Sequence, residues 1–372
     1  MMWNPTRKIV RTATTLGIAL VGGVLGTAAH ANCTYAASNA YGNGPLVTTQ
    51  PLTITNLTVG RDVPDGTEIY RQTVTPQGGA VVCTAGTHVY EERELTVQPL
   101  PVTPWNTGQY AGKVYGTGVP GIGVAVWRVN DIYPMTPFDR GIQTGATSTF
   151  PGSYMGLSMS LIKIGPVSPG IINGASLPTG QWRWNDGTKR LVLATINFSG
   201  SIRIVAQTCT TPDVNVDMGQ HQTKAFTGAG SATPWRDFNI GLQNCPAFYG
   251  ARATVQTVDT AGSWSSTPAM QGNVIRFSLS PTTPVVDPVQ GIVALAPTAS
   301  GPAAATGVGL QIANASNMPV SFNTVMPSGL ALGTTSGASY SIPLRARYIQ
   351  TGSAAPTPGP ANTSVMFTIN YQ

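Results

Sequence analysis

The chain has 372 residues, of which only 9% are charged, with a formal net charge of +6, 43 glycines and 30 prolines. So few Glu, Lys and Arg argue against a helix-rich architecture and for short strands joined by many turns. Residues 1–31 hold three of the 20 basic residues and none of the 14 acidic ones, so the remaining 341 carry 17 against 14, a net +3. That is too weak and too scattered for a nucleic-acid surface.

At the start, Arg7, Lys8 and Arg11 precede an apolar stretch from Leu16 to Thr27, followed by Ala29-His30-Ala31. This order predicts a secretory signal over 1–31 and a mature chain from Asn32. The apolar run is shorter than the roughly 20 residues a spanning helix needs. Export implies an oxidising compartment, so Cys33, Cys83, Cys209 and Cys245 are expected as disulfides. Four cysteines allow three pairings, and their grouping favours Cys33–Cys83 and Cys209–Cys245. Each bridge would stabilise its half by about 2–4 kcal/mol. With one histidine in each half, His88 and His221, no metal site is expected, and no cofactor.

Strand pieces follow in order: Leu52–Ile54, Leu57–Val59, Ala80–Cys83, Gly123–Val129, Leu157–Ile164 and Leu191–Phe198. The tracts Val97–Gly118 and Thr351–Pro360, rich in Pro, Thr and Gly, read as loops. In the second half, apolar residues alternate at Val214/Val216/Met218, Phe238/Ile240/Leu242, Ile275/Phe277/Leu279 and Ile342/Leu344/Ala346/Tyr348. Such alternation, punctuated by turns, predicts an all-β chain of two sandwich domains. The expected division is 32–200, a linker at 201–208, and 209–372, although Ile202–Val205 has the pattern to extend a strand of either domain.

A site for a small polar ligand such as a sugar needs aromatic faces beside carboxylates or amides. Two tracts hold both: Trp182, Trp184, Asn185 and Asp186; and Trp127, Asp131, Tyr133 and Asp139. Trp105 and Tyr110 form a third candidate. The alternative for the first tract is a core-facing Trp182/Trp184 pair with a hairpin turn at Asn185-Asp186-Gly187; for the second it is a surface loop. A glycosidase would need two carboxylates at one cleft, and nine acidic residues precede Cys209. There is no Gly-x-Ser-x-Gly elbow, however, and too few histidines for a triad, so an enzyme is not expected.

The second half carries a recognisable set of motifs. These are Cys209, Val214-Asn215-Val216-Asp217-Met218-Gly219, Phe238 through Cys245-Pro246, and the ending Ser364 through Gln372, with Gly359 fourteenth from the end and Tyr371 penultimate. On these residues, Cys209–Gln372 resembles a pilin domain of the chaperone–usher family. The resemblance implies an immunoglobulin-like sandwich lacking its last strand. Val365, Phe367, Ile369 and Tyr371 would border the open groove, and a chaperone would hold the carboxylate of Gln372. The implied partners are a periplasmic pilus chaperone, an outer-membrane usher and a next subunit that donates the missing strand.

A whole domain stands where a donor arm would precede Cys209, and only Asn32 would precede Cys33. That layout implies a subunit that accepts a strand and gives none, at the tip of a surface pilus reached through the periplasm. The tract Thr117–Val124 resembles a segment of adhesin domains, and reads equally as a turn entering a strand. Tip subunits of this layout imply a lectin-like, glycan-binding first domain. A matrix-protein adhesin and a ligand-free cap are the alternatives. The first domain is expected to be soluble alone.

Overall fold

The structure is a computed structural model that describes residues 33–372. The signal expected over 1–31, and the cleavage point before Asn32, lie outside the described residues.

The first half packs two sheets face to face. One has five strands in the order Phe138–Ile142, His88–Val97, Thr179–Asn185, Arg190–Ser199 and Leu46–Pro51. The other runs through Tyr115–Gly116, Ile122–Arg128, Leu157–Lys163 and Glu68–Thr75. Along these strands alternate residues turn inward, so that Val124, Val126, Met159, Leu161, Trp182, Trp184 and Ile196 fill one core. The sheets meet closely at Gly180, where a Cβ would stand 2.3 Å from Leu157 of the facing sheet. Every residue of Leu157–Lys163 is buried, because the loop carrying Trp105, Tyr110 and Val114 covers its outer face as a third layer.

The second half is a smaller sandwich. Five strands, Arg236–Cys245, Ala338–Gln350, Val308–Asn314, Ile292–Ala294 and Val285–Asp287, face three, Met326–Pro327, Ile275–Pro281 and Val365–Tyr371. Ile240, Leu242, Phe277, Leu279, Ile342 and Leu344 form its core, which are the residues the alternation marked as one-sided. The cysteines pair Cys33–Cys83 and Cys209–Cys245, one bridge in each half as expected.

Three features differ from the sequence expectation. Ser201–Val205, read as part of a linker, is a strand lying between Gly170–Asn173 and Asn56–Thr58. Its Ile202 and Ile204 are buried in the first core, so burial rather than flexibility governs this segment. Val214–Met218 lies outside any named strand, despite its alternation; its half-buried valines line a cleft instead.

The third difference is the largest. The hairpin Arg252–Thr260/Ser263–Gln271 belongs to the second half by sequence, yet it extends the first half's sheet. Arg252–Thr260 pairs in parallel with Glu68–Thr75, from Ala253 opposite Tyr70 to Val258 opposite Thr75. Ala253 and Val255 enter the first core, and Gln72 Nε2 donates to Thr257 Oγ1 at 3.1 Å. Nearby, Tyr371 N donates to Asp62 at 2.9 Å, Thr58 Oγ1 to Ala247 O at 2.8 Å and Asn273 Nδ2 to Thr58 O at 2.8 Å. The two halves are therefore joined by a shared sheet rather than by a tether.

Candidate functional site

In the second half, Val365–Tyr371 pairs with Ile275–Pro281 along one edge only. Among the described residues its other edge has no ladder partner. Val365 and Phe367 are half-buried on the core side while Met366 is 61% exposed on the other. Beside this bare edge opens a cleft of about 720 Å³. Its floor is Ile240, Leu279, Leu310, Ile312 and Leu344; its far wall is Asp213–Gly219. An unpaired strand edge above an apolar floor leaves N–H and C=O groups and side-chain pockets ready to take one further strand.

The end of that edge strand is held firmly. Tyr371 OH accepts from Cys209 N at 3.1 Å, and Arg61 lies 5.9 Å from its ring centre. Burial pushes the Tyr371 hydroxyl up from its ordinary range, with the Cys209 hydrogen bond working against it. Gln372 is exposed and exchanges backbone hydrogen bonds with Val274. Gly359 does not lie on the edge strand. It sits in a loop where a Cβ would come 2.3 Å from Ala303 O, so glycine is needed there for close backbone approach.

In the first half, the structure separates residues that the sequence grouped. Trp182 and Trp184 are each 1% exposed and pack edge-to-face on Phe150 at 4.9 and 5.3 Å. Their indoles offer no face to a ligand, because they are the inward positions of a central strand. Tyr133 is equally buried and accepts from Arg93 at 3.0 Å; burial raises its hydroxyl. Asn185 donates to Glu92 at 2.7 Å. Asp186 closes the hairpin turn, accepting from the backbone of Cys33, Thr188 and Lys189. Burial works to raise the Asp186 carboxyl, but the hydrogen bonds from Lys189, Thr188 and Cys33 outweigh it and hold it below the usual range. Asp131 stands half-buried in a two-residue strand, and Asp139 is exposed and bound to His88 at 2.7 Å. These residues do not converge on one concavity.

A concavity does form around the third candidate. Trp105 and Tyr110 line a pocket of about 480 Å³ together with Asp65, Glu68, Arg71 and Gln109. Trp127 stands behind it: its ring centre is 6.4 Å from that of Tyr110, and Arg71 stacks on it at 5.1 Å. Its Nε1 donates to Ser160 Oγ at 2.8 Å. Glu68 is the hub, accepting from Ser160 Oγ at 2.6 Å and Tyr110 OH at 3.3 Å and pairing with Arg71 at 2.8 Å. Lys163 pairs with Asp65 at the rim. Tyr110 is only 5% exposed, so half-buried Trp105 is the ring the pocket offers; one aromatic face beside fixed carboxylates and a guanidinium can grip a polyhydroxyl ligand. Sequence reasoning missed Asp65, Glu68 and Arg71. The signal was present in Glu68–Thr75, where Tyr70, Gln72 and Val74 alternate with Arg71 and Thr73.

Residues 196–372 match the family model described as fimbrial protein. The type-1 fimbrial protein A chain of Escherichia coli is 29% identical over 180 residues, 48% of this chain and 82% of that protein. A fimbria adhesin protein of Klebsiella pneumoniae is 25% identical over 328 residues, 85% of this chain and 90% of that protein. Among solved structures, the CupB6 tip adhesin of Pseudomonas aeruginosa aligns over 91% of this chain and 94% of its own, at 15% identity and a TM-score of 0.35. The receptor-binding domain of the adhesin MrkD1P of Klebsiella pneumoniae aligns over 48% of this chain and 98% of its own, at 21% identity and a TM-score of 0.32. Residues 196–372 thus form a domain that matches the fimbrial-protein family, and the relatives that align with this chain are fimbrial subunits and a fimbria adhesin.

Proposed function

We propose that this chain is a pilus-tip adhesin. Its second half is completed by a strand donated from the next subunit, and its first half binds a surface glycan. The observation that carries the reading is the unpaired edge of Val365–Thr368 above the cleft floored by Ile240, Leu279 and Ile312, while Arg61 and Asp62 engage the strand's far end at Ile369 and Tyr371. An incoming extended segment gains main-chain hydrogen bonds from that edge and apolar burial from the floor. A periplasmic chaperone would fill the same cleft during export, before an outer-membrane usher passes the subunit to its neighbour.

The position at the tip is supported by what precedes Cys209. Arg190–Ser199 and Ser201–Val205 are both paired on two sides within the first half. The stretch that would serve as a donor arm for a neighbour is thereby engaged. The glycan reading is supported by Trp105 and Tyr110 beside Glu68, Asp65 and Arg71.

The test is to titrate the full chain with a synthetic, alternately apolar peptide about a dozen residues long, enough to span a strand of ordinary length. Saturable one-to-one binding with a clear rise in melting temperature is expected. A monomeric, heat-stable chain indifferent to such peptides would end the donor-strand reading. A glycan array probed with the peptide-bound chain then tests the first half. Selective sugar binding is expected, and blank arrays alongside binding to matrix proteins would replace the glycan by a protein receptor.

A further inference from the structure

The outer face of the long sheet does not stop where the sequence changes from the first half to the second. Residues opposite one another in a ladder share a face. One such row runs Trp127, Ser158, Thr73, Gln256, Thr267. The next runs Ala125, Ser160, Arg71, Thr254, Ala269. The hydrogen bond between Thr73 and Ser158, at 2.9 Å, confirms that these side chains stand on one side. Ala253 and Val255 turn the other way, into the core, which leaves Arg252, Thr254 and Gln256 exposed. The result is a row of hydroxyl, amide and guanidinium groups that is buried under the Trp105/Tyr110 loop at Ser158 and Ser160 and open over the hairpin at Arg252, Thr254 and Gln256.

Two concavities lie on this surface, and Glu68 is common to both. The first, about 480 Å³, is the Trp105/Tyr110 pocket. The second, about 400 Å³, is lined by Thr67 and Glu68 from the first half and by Arg252, Thr254, Met270 and Gln271 from the hairpin of the second. We propose that the receptor site is composite. In this arrangement an oligosaccharide lies across Glu68, with one sugar against the aromatic pocket and the next over the hairpin of the fimbrial domain.

The occupant follows from the chemistry of the lining. The Trp105 ring at one end suits the apolar side of a pyranose. Thr254, Gln271 and Arg252 line the second concavity and supply hydrogen-bonding groups suited to sugar hydroxyls. This deepens the glycan reading of the first half and rests on it. It also adds a requirement, that high affinity needs a ligand longer than one sugar and a hairpin seated on Glu68–Thr75.

The experiment uses the full chain with donor peptide bound. It is probed with an array of oligosaccharides and their constituent monosaccharides. Trp105→Ala tests the aromatic pocket; Arg252→Ala and Thr254→Ala test the hairpin, at exposed positions lining its concavity whose change leaves the melting temperature in place. The expected result is about a tenfold or greater loss for the best oligosaccharide in all three variants. Wild-type affinity in both hairpin variants with loss in Trp105→Ala would overturn the composite site and leave the glycan reading standing. Glycan binding indifferent to all three substitutions would overturn the composite site and move the glycan elsewhere on the chain; no glycan bound at all would overturn both.

Discussion

Asp186 shows how a residue chosen for ligand chemistry is occupied by folding. Its carboxylate accepts backbone hydrogen bonds from Cys33, Thr188 and Lys189, tying the hairpin turn to the first disulfide. Its carboxyl is held below the usual range in the folded chain. A group with a depressed folded pKa contributes stability above its unfolded pKa and loses it as pH falls through the folded value. The Asp186 contribution should therefore be complete at neutral pH and fade only as pH drops below the ordinary aspartate value of 3.8. Thermal melts of Asp186→Asn against the parent should show a lower melting temperature at pH 7 and a narrowing difference as acid is added. Glu92 acts in the same sense: burial opposes its ionisation, and hydrogen bonds from Arg183 and Asn185 prevail.

Gly60 is a point of close backbone approach between the halves. A Cβ there would stand 2.2 Å from the carbonyl oxygen of Tyr371, at the end of the bare-edged strand. Because the obstacle is backbone, it cannot rotate away. Gly60→Ala should destabilise the chain by about 1–3 kcal/mol, the ordinary range for forced overpacking. Chemical denaturation of the peptide-bound chain measures this directly. Unchanged stability would mean that the two halves separate more easily at this point than their hydrogen bonds indicate.

At the level of elements, the edge strand and the hairpin obey the same rule with opposite outcomes. Val365–Tyr371 alternates, and its outer edge is bare. Ser263–Gln271 is also an edge strand, but it is exposed along nearly its whole length and carries Pro268. Proline has no N–H to donate, so a second chain finds a poor template there. Phe367 faces the cleft floor opposite Leu279. Phe367→Asp should abolish donor-peptide binding in a titration, because it places a charge where an apolar side chain must dock. Retained affinity would move the docking site elsewhere.

Elements were legible where alternation coincided with burial. Ile275–Pro281 and Ala338–Gln350 were readable for that reason. Val214–Met218 had the alternation of a strand but forms no ladder among the described residues; it walls the cleft across from Val365–Tyr371 instead. Trp182 and Trp184 carried the composition of a sugar platform and the spacing of a core pair. Spacing prevailed, since a strand central in its sheet turns same-face residues inward together.

On the scale of the whole molecule, the shared sheet alters what each half can do alone. The first core includes Ala253 and Val255 from the hairpin. A fragment ending at residue 208 would uncover the edge of Glu68–Thr75 and expose Tyr70, Gln72 and Val74 beside it. The shared sheet argues against the expectation that the first half is soluble by itself. Such a fragment should melt well below the full chain or aggregate, as followed by calorimetry and light scattering. A fragment as stable as the whole would show the hairpin to be a loose attachment.

Local chemistry in the sequence determined the all-β class, the grouping of cysteines by half and the fimbrial character of the second half, because strand alternation, cysteine order and short motifs are properties of neighbouring residues. Tertiary structure alone decided which aromatic rings stay accessible, which carboxylates converge at Glu68, and that a hairpin from one half completes the sheet of the other. Those outcomes depend on parallel pairing between Glu68–Thr75 and Arg252–Thr260, segments far apart in the chain. No turn links them, so no local signal sets their register; only the burial of Ala253 and Val255 against a distant strand does.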